Sequence, residues 1–232
     1  MSKIIVFDLD DTLYPEADFV RSGFRAVDAW LSNELGMAGF FSEAWRLFAG
    51  GRRGDIFDTA LSNLAFPPTR ELIRTLVDIY RDHPPSIALA PDAARFLARR
   101  EPYMAFAVLT DGYGATQSRK IDALELDTYC HPIVRTDCWG QEYWKPHPRG
   151  FLEIQEHFAL GPSCFIYVAD NPLKDFIAPR ALGWKSIRIK RAGGIYSCRC
   201  ADPAQEADMA ITSLDELTSD RARALIDGDG RK

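Results

Sequence analysis

Apolar positions fall into two rhythms along the chain. One is a set of short, uninterrupted apolar runs: Ile4-Ile5-Val6-Phe7, Ala105-Phe106-Ala107-Val108-Leu109 and Phe165-Ile166-Tyr167-Val168-Ala169. Ile133-Val134 and Ala210-Ile211 are shorter pieces of the same kind, and Ser186-Ile187-Arg188-Ile189 is another strand candidate. Apolar runs of this length without alternation read as strands buried on both faces, as in a parallel sheet. The other rhythm is helical. Between Glu16 and His83 the apolar residues recur three and four apart, through Phe19, Val20, Phe24, Val27, then Phe40, Ala44, Phe48, then Ile56, Ala60, and finally Leu72, Leu76, Tyr80. Gly50-Gly51-Arg52-Arg53-Gly54 is a flexible break inside this block, and His83-Pro84-Pro85 closes it.

Further helices are expected from Pro91 to about Arg100, with proline at a favoured first position, after Gly112, through Phe151, Ile154 and Phe158 as far as Gly161-Pro162, in a turn leading to Gly183, and over Leu214–Ile226 before a polar tail. Strands alternating with helices predict an α/β fold, a Rossmann-like doubly wound parallel sheet. The all-helical block interrupts that alternation directly after the first strand, so it reads as an inserted α-helical cap over the strand ends. The expected division is 1–14 with 86–232 for the α/β core and 15–85 for the cap.

A chain of 232 residues suffices for a core plus an inserted unit. Its net charge of −5 argues against a nucleic-acid or membrane partner held by bulk charge. The chain enters its first strand at once and has no apolar run of membrane-spanning length, so neither a signal peptide nor a spanning helix is expected. Five cysteines, Cys130, Cys138, Cys164, Cys198 and Cys200, form a scattered, odd set that fits reduced thiols and a cytoplasmic location. Cys198-Arg199-Cys200 lacks the second pair that a zinc site needs. The four histidines, His83, His131, His147 and His157, share no ligand spacing and read as structural or exposed; His147 alone lies near a candidate site residue.

The chemistry gathers at strand ends. The first strand runs into Asp8, Asp10 and Asp11; the second ends at Thr110-Asp111-Gly112; a later one ends at Asp170-Asn171, with Asp175 close behind; Lys145-Pro146 lies between. In an open parallel sheet the carboxyl ends of strands converge on one edge, where ligands bind. Asp8, Asp10, Asp170 and Asp175 against Lys145 give a formal local charge of about −3, which calls for a cation, and hard oxygen ligands suit Mg²⁺. With Mg²⁺ the site stands near −1, so an anionic substrate needs further donors. Thr110, the N-terminus of the helix after it, and Lys145 would supply them. Asp11 reads as a turn or capping residue.

Asp-Leu-Asp-Asp-Thr-Leu at 8–13, Leu-Thr-Asp-Gly at 109–112, Lys-Pro at 145–146 and Asp-Asn-Pro-Leu-Lys-Asp at 170–175 resemble, in order and spacing, the four motifs of the haloacid dehalogenase (HAD) superfamily. The resemblance spans nearly the whole chain, and the helical block resembles the cap of subclass I. It implies that Asp8 is a nucleophile forming an aspartyl-phosphate. Asp10 would protonate the leaving oxygen and then activate water. Thr110 and Lys145 would hold the phosphoryl oxygens. Mg²⁺ would be held by Asp8, the backbone carbonyl of Asp10, and Asp170, with Asp175 orienting a metal water or Lys145, and Asn171, Asp111 and Gly112 in support. No organic cofactor is implied.

Two positions depart from the family pattern. The residue after Thr110 is often Asn in this family and is Asp111 here; turned outward it changes nothing, turned inward it would weaken anion binding. Pro179 falls early in the helix after the fourth motif, where a first turn tolerates it. In the cap, Arg21, Arg52 and Arg53 read as solvated, and Phe19, Phe24, Trp30 and Trp45 as core.

The function expected is a Mg²⁺-dependent phosphomonoester hydrolase acting on a small metabolite such as a nucleoside monophosphate or a sugar phosphate, as a monomer or homodimer. The first motif's Asp-Asp-Thr-Leu-Tyr form resembles that of some pyrimidine nucleotidases. A 2-haloacid dehalogenase is the main alternative, but halide departs without a proton and such an enzyme needs no acid at position 10. A phosphomutase shares the covalent chemistry. A receiver-type signalling domain is shorter and uncapped, and a non-catalytic family member would be expected to lack the nucleophile or the acid.

Overall fold

The computed structural model describes residues 3–99, 101, 103–195, 202 and 205–227. In chain order these form β1 (Lys3–Phe7), α1 (Glu16–Leu35), α2 (Phe40–Ala49), α3 (Ile56–Asn63), α4 (Arg70–Asp82), α5 (Pro91–Leu97), β2 (Met104–Thr110), α6 (Gly114–Ala123), β3 (Ile133–Arg135), α7 (Arg149–Phe158), β4 (Phe165–Ala169), α8 (Ile177–Ala181), β5 (Lys185–Ile189), β6 (Met209–Ile211) and α9 (Ser219–Asp227). The chain divides into two compact units, Met1–Glu16 with Ala88–Lys232, and Ala17–Ile87.

The first unit is built on a six-stranded sheet of order β3-β2-β1-β4-β5-β6, every pair parallel. Alternate strand residues bury on opposite faces. On one, Ile4, Val6, Leu109, Phe165 and Tyr167 pack with Phe151 and Ile154 of α7 and with Trp184. On the other, Phe7 and Phe106 meet Phe96 of α5 with ring centroids 5.6–6.0 Å apart. Helix α7 approaches β2 so closely that a Cβ on Gly150 would lie 2.4 Å from Leu109 Cδ1. A fully buried ring such as Phe151 is worth roughly 3–5 kcal/mol of stability.

The order of the strands positions the site. The chain runs outward through β2 and β3 on one side of β1, and through β4, β5 and β6 on the other, so the direction reverses beside β1. Crevices at such switch points, outside the carboxyl ends of the strands, hold ligands. Phe7 is in register with both Val108 and Val168. Asp8, Thr110 and Asp170, each one or two residues further on, therefore end at one height along the same edge.

In the second unit Phe24 of α1 centres an aromatic cluster with Phe40, Phe48, Phe57 and Tyr80, all within 6.3 Å between centroids. Of the aromatics read as core, Phe19 and Phe24 are buried, whereas Trp30 and Trp45 are half-buried. Its arginines are engaged locally: Arg21 with Asp18 and over Trp45, Arg52 with Asp55, and Arg53 over Phe48 with a bond to the Phe48 carbonyl. His83 is structural, bonded through Nδ1 to the Tyr80 carbonyl (2.7 Å) and through Nε2 to Ser22 Oγ (3.0 Å).

Two helix boundaries differ from expectation. Helix α5 stops at Leu97, where the chain leaves the ladder in a turn closed by Arg99 N–H on the Phe96 carbonyl. The helix expected over Leu214–Ile226 is two pieces, because Ser213 and Glu216 form a capping box around a single 3₁₀ turn, Leu214–Glu216, before α9 begins. Pro179 sits in the five-residue α8, within its first turn. Cys198, Cys200 and the polar tail past 227 lie outside the described residues. Among the described residues no helix is long and apolar enough to cross a membrane.

Candidate active site

The turn after β1 carries the first acids. Asp11 adopts a left-handed backbone (φ 51°) and uses its carboxylate to accept the amide N–H groups of Glu16 (2.8 Å) and Ile195 (2.7 Å). It is a turn and capping residue, as expected, and leaves Asp8 and Asp10 to the sheet edge.

Asp8 and Asp175 share one ammonium. Lys145, whose side chain is entirely excluded from solvent, lies 2.7 Å from Asp8 Oδ1 and 2.8 Å from Asp175 Oδ1, and donates to the Tyr167 hydroxyl at 2.9 Å. Those partners hold its charge, and its pKa lies well above the usual lysine value despite burial. The other oxygen of Asp175 accepts the Asn171 amide N–H (3.0 Å), while Asn171 Oδ1 accepts that of Leu173 (3.0 Å). The fourth motif is thus a tight turn folded on its own side chains.

Asp170 is different. It is buried, yet no hydrogen bond or ion pair reaches its carboxylate among the described residues. Burial, with Asp8 and Asp175 nearby, pushes it up to about 9, and burial pushes Asp8 up to about 6 in spite of Lys145. Carboxylate oxygens of Asp8, Asp170 and Asp175 lie within 4.8 Å of one another. Three hard donors so arranged, one without a partner, fit a small divalent cation.

Asp10 stands outside that cluster. Its carboxylate accepts Lys120 Nζ (2.8 Å), Gln117 Nε2 (3.1 Å) and the Tyr14 hydroxyl. Burial alone would raise its pKa, but these donors hold it below the usual carboxylate range. Gln117 also donates to Thr110 Oγ1 (2.6 Å), so Thr110 and Asp10 are tied through one amide. Gly112, at φ 109°, makes the turn into α6 that a side chain would strain. The N-terminus of α6 is less available than the sequence implies, because Asp137 already accepts the Gly114 amide N–H at 2.8 Å.

Asp111 points inward. It is buried and accepts from the Thr136 hydroxyl (2.8 Å), the Lys145 amide (3.1 Å) and Lys174 Nζ (2.9 Å), which together hold its pKa low. Asp111 is thus the inward case, and its added charge is paired with a cation, Lys174. The charge count changes too. Lys120 and Lys174 join Lys145 against Asp8, Asp10, Asp111, Asp170 and Asp175, so the formal charge is about −2, not −3, and a divalent cation would bring it to zero. Half-buried Glu16 is pushed up to about 8 by lost solvent and by Asp10, and adds little charge at neutral pH.

These groups line a cavity of about 110 Å³, walled by Asp8, Asp10, Glu16, Thr110, Asp111, Asp170, Asn171 and Lys174. Lys145 and Asp175, both shut off from solvent, do not line it. Sequence reasoning misses Lys120, Gln117, Lys174, Tyr14 and Glu16. Lys174 stood in plain view inside the fourth motif.

A family model described as haloacid dehalogenase-like hydrolase matches residues 5–189. The chain belongs to the haloacid dehalogenase-like hydrolases. This hydrolase is 27% identical, over an alignment of 236 residues, to a glyceraldehyde 3-phosphate phosphatase of Methanopyrus kandleri, covering 98% of this chain and 97% of that one. It is 26% identical over 238 residues to a ribulose-1,5-bisphosphate 5-phosphatase of Halopiger xanaduensis, covering 94% and 98%. A HAD-hydrolase of Bacillus subtilis solved bound to magnesium superposes on this hydrolase with a TM-score of 0.64 at 14% identity, over 93% of this chain and 96% of that one, a likeness of fold.

Proposed function

We propose that this hydrolase cleaves phosphomonoesters of a small sugar-phosphate-like metabolite, through a phosphoryl group carried on Asp8. The observation that carries this reading is that Asp8 lines the cavity together with a second carboxylate, Asp10, which is held by its own donors. A dehalogenase has no use for that second acid. The sugar-phosphate class is supported by the names of the two phosphatase relatives.

In this mechanism Asp8 attacks phosphorus, and Lys145, which also donates to the Tyr167 hydroxyl, holds its carboxylate and favours the ionised form. Thr110, oriented by Gln117, offers its hydroxyl to a phosphoryl oxygen. Asp10, ionised in the free enzyme, would take up a proton as the anionic substrate enters beside it, give that proton to the departing alkoxide and then take one from the water that attacks the aspartyl-phosphate. The unpartnered Asp170 and the carboxylate oxygens around it fit Mg²⁺, which Asp8, Asp170 and the Asp10 carbonyl would hold, with Asp175 keeping Lys145 and the Asn171 turn in place. When bound, the ion neutralises charge on the phosphoryl oxygens.

The test is phosphate release from a panel of triose, pentose and nucleoside monophosphates, with chloroacetate for halide release. The account expects phosphate release with sugar phosphates ranked first. Halide release without phosphate release would sink it.

A further inference from the structure

The three ammonium groups at this site are not equivalent. An ammonium has three donors. Lys145, its side chain shut off from solvent, donates to Asp8 and Tyr167 and pairs with Asp175 at 2.8 Å. Lys120, side chain 6% exposed, is directed at Asp10. Lys174 lines the cavity, its side chain 34% exposed, and the bond it makes among the described residues is to Asp111 Oδ2. Asp111 does not need Lys174 to stay in place, since its other oxygen is held by the Thr136 hydroxyl and the Lys145 amide. It is a fixed post, and the lysine tethered to it keeps donors to spare.

The walls of the cavity are otherwise mostly carboxylates, which repel an anion. At about 110 Å³ the space is far below the roughly 300–1,000 Å³ of a site that encloses a whole small ligand, and suits one compact group. A lysine is a compact point charge well matched to a phosphoryl oxygen. We infer that Lys174, anchored by Asp111, is the ammonium that receives a phosphoryl oxygen of the substrate in this cavity. The inference rests on the phosphoesterase reading and deepens it. It also gives the unusual acid at position 111 a purpose: Asp111 aims the cation.

The probe is inorganic phosphate, titrated into the full Mg²⁺-loaded protein by calorimetry and as an inhibitor of p-nitrophenyl phosphate turnover. The variants are Lys174→Met, Lys174→Arg, Asp111→Asn and the double variant Asp111→Asn/Lys174→Met. Lys185→Met, at the far end of β5, is the control. Loss of one charge-assisted hydrogen bond should weaken phosphate by about 10–100-fold in Lys174→Met. Lys174→Arg should retain most of the affinity, and the double variant should be as weak as Lys174→Met. Wild-type phosphate affinity in Lys174→Met overturns the inference. So does recovery in the double variant, which would mean that Lys174 only neutralises Asp111. If wild type hydrolyses phosphate esters while Lys174→Met matches it, this inference alone falls. If wild type neither binds phosphate nor hydrolyses any ester, the phosphoesterase reading falls with it.

Discussion

Lys145 and Asp175 meet at 2.8 Å with both side chains shut off from solvent. The pair joins the third motif to the fourth, and Asp8 completes it from the first. A buried pair adds little against an apolar substitute, but removing one partner strands the other charge. Asp175→Asn should therefore cost roughly 3–5 kcal/mol in urea unfolding of the metal-free protein. A change within experimental error would show that Asp8 alone satisfies Lys145.

Metal affinity should depend on pH with a definite sign. Without metal, burial raises Asp170 to about 9 and Asp8 to about 6, and a cation binds their ionised forms. Mg²⁺ affinity, read by calorimetry, should rise between about pH 6 and 9, with proton release on binding. The same shifts act on folding. Both groups bind protons more tightly folded than unfolded, so the metal-free protein should lose stability as pH rises from the ordinary carboxylate range through these values. Thermal unfolding with chelator should show a Tm falling with pH, and Mg²⁺ should remove the fall.

Lys120 should control the protonation of Asp10. With its side chain replaced in Lys120→Met, burial is opposed by fewer donors and the Asp10 pKa should rise. If Asp10 protonates the leaving group, the alkaline limb of the kcat profile moves to higher pH. An unmoved limb with reduced kcat would assign Lys120 a structural role only.

The sheet was legible in the sequence because unbroken apolar runs can only bury on both faces, and three of the runs lead to chemistry at a shared edge. Asp8, Thr110, Asp170 and Asp175 stood out as polar residues where such runs end. Gln117 and Lys120 did not, since polar residues three apart on a helix look like a solvated face until the tertiary fold turns that face under Asp10. Asp111 was ambiguous for a related reason. Its direction is set by Thr136 and the Lys145 amide, which are distant in sequence, and by Lys174, which reads locally as one charge in a polar turn.

The central claim is that the phosphoryl group passes through Asp8. The most direct measurement is acid quench of the Mg²⁺-loaded enzyme during turnover of glyceraldehyde 3-phosphate or the best panel substrate, followed by peptide mass spectrometry. The account predicts a phosphoryl group on the peptide bearing Asp8, absent in Asp8→Asn, with turnover in that variant reduced by a factor on the order of 10⁴ or more. Steady phosphate release by Asp8→Asn would contradict it.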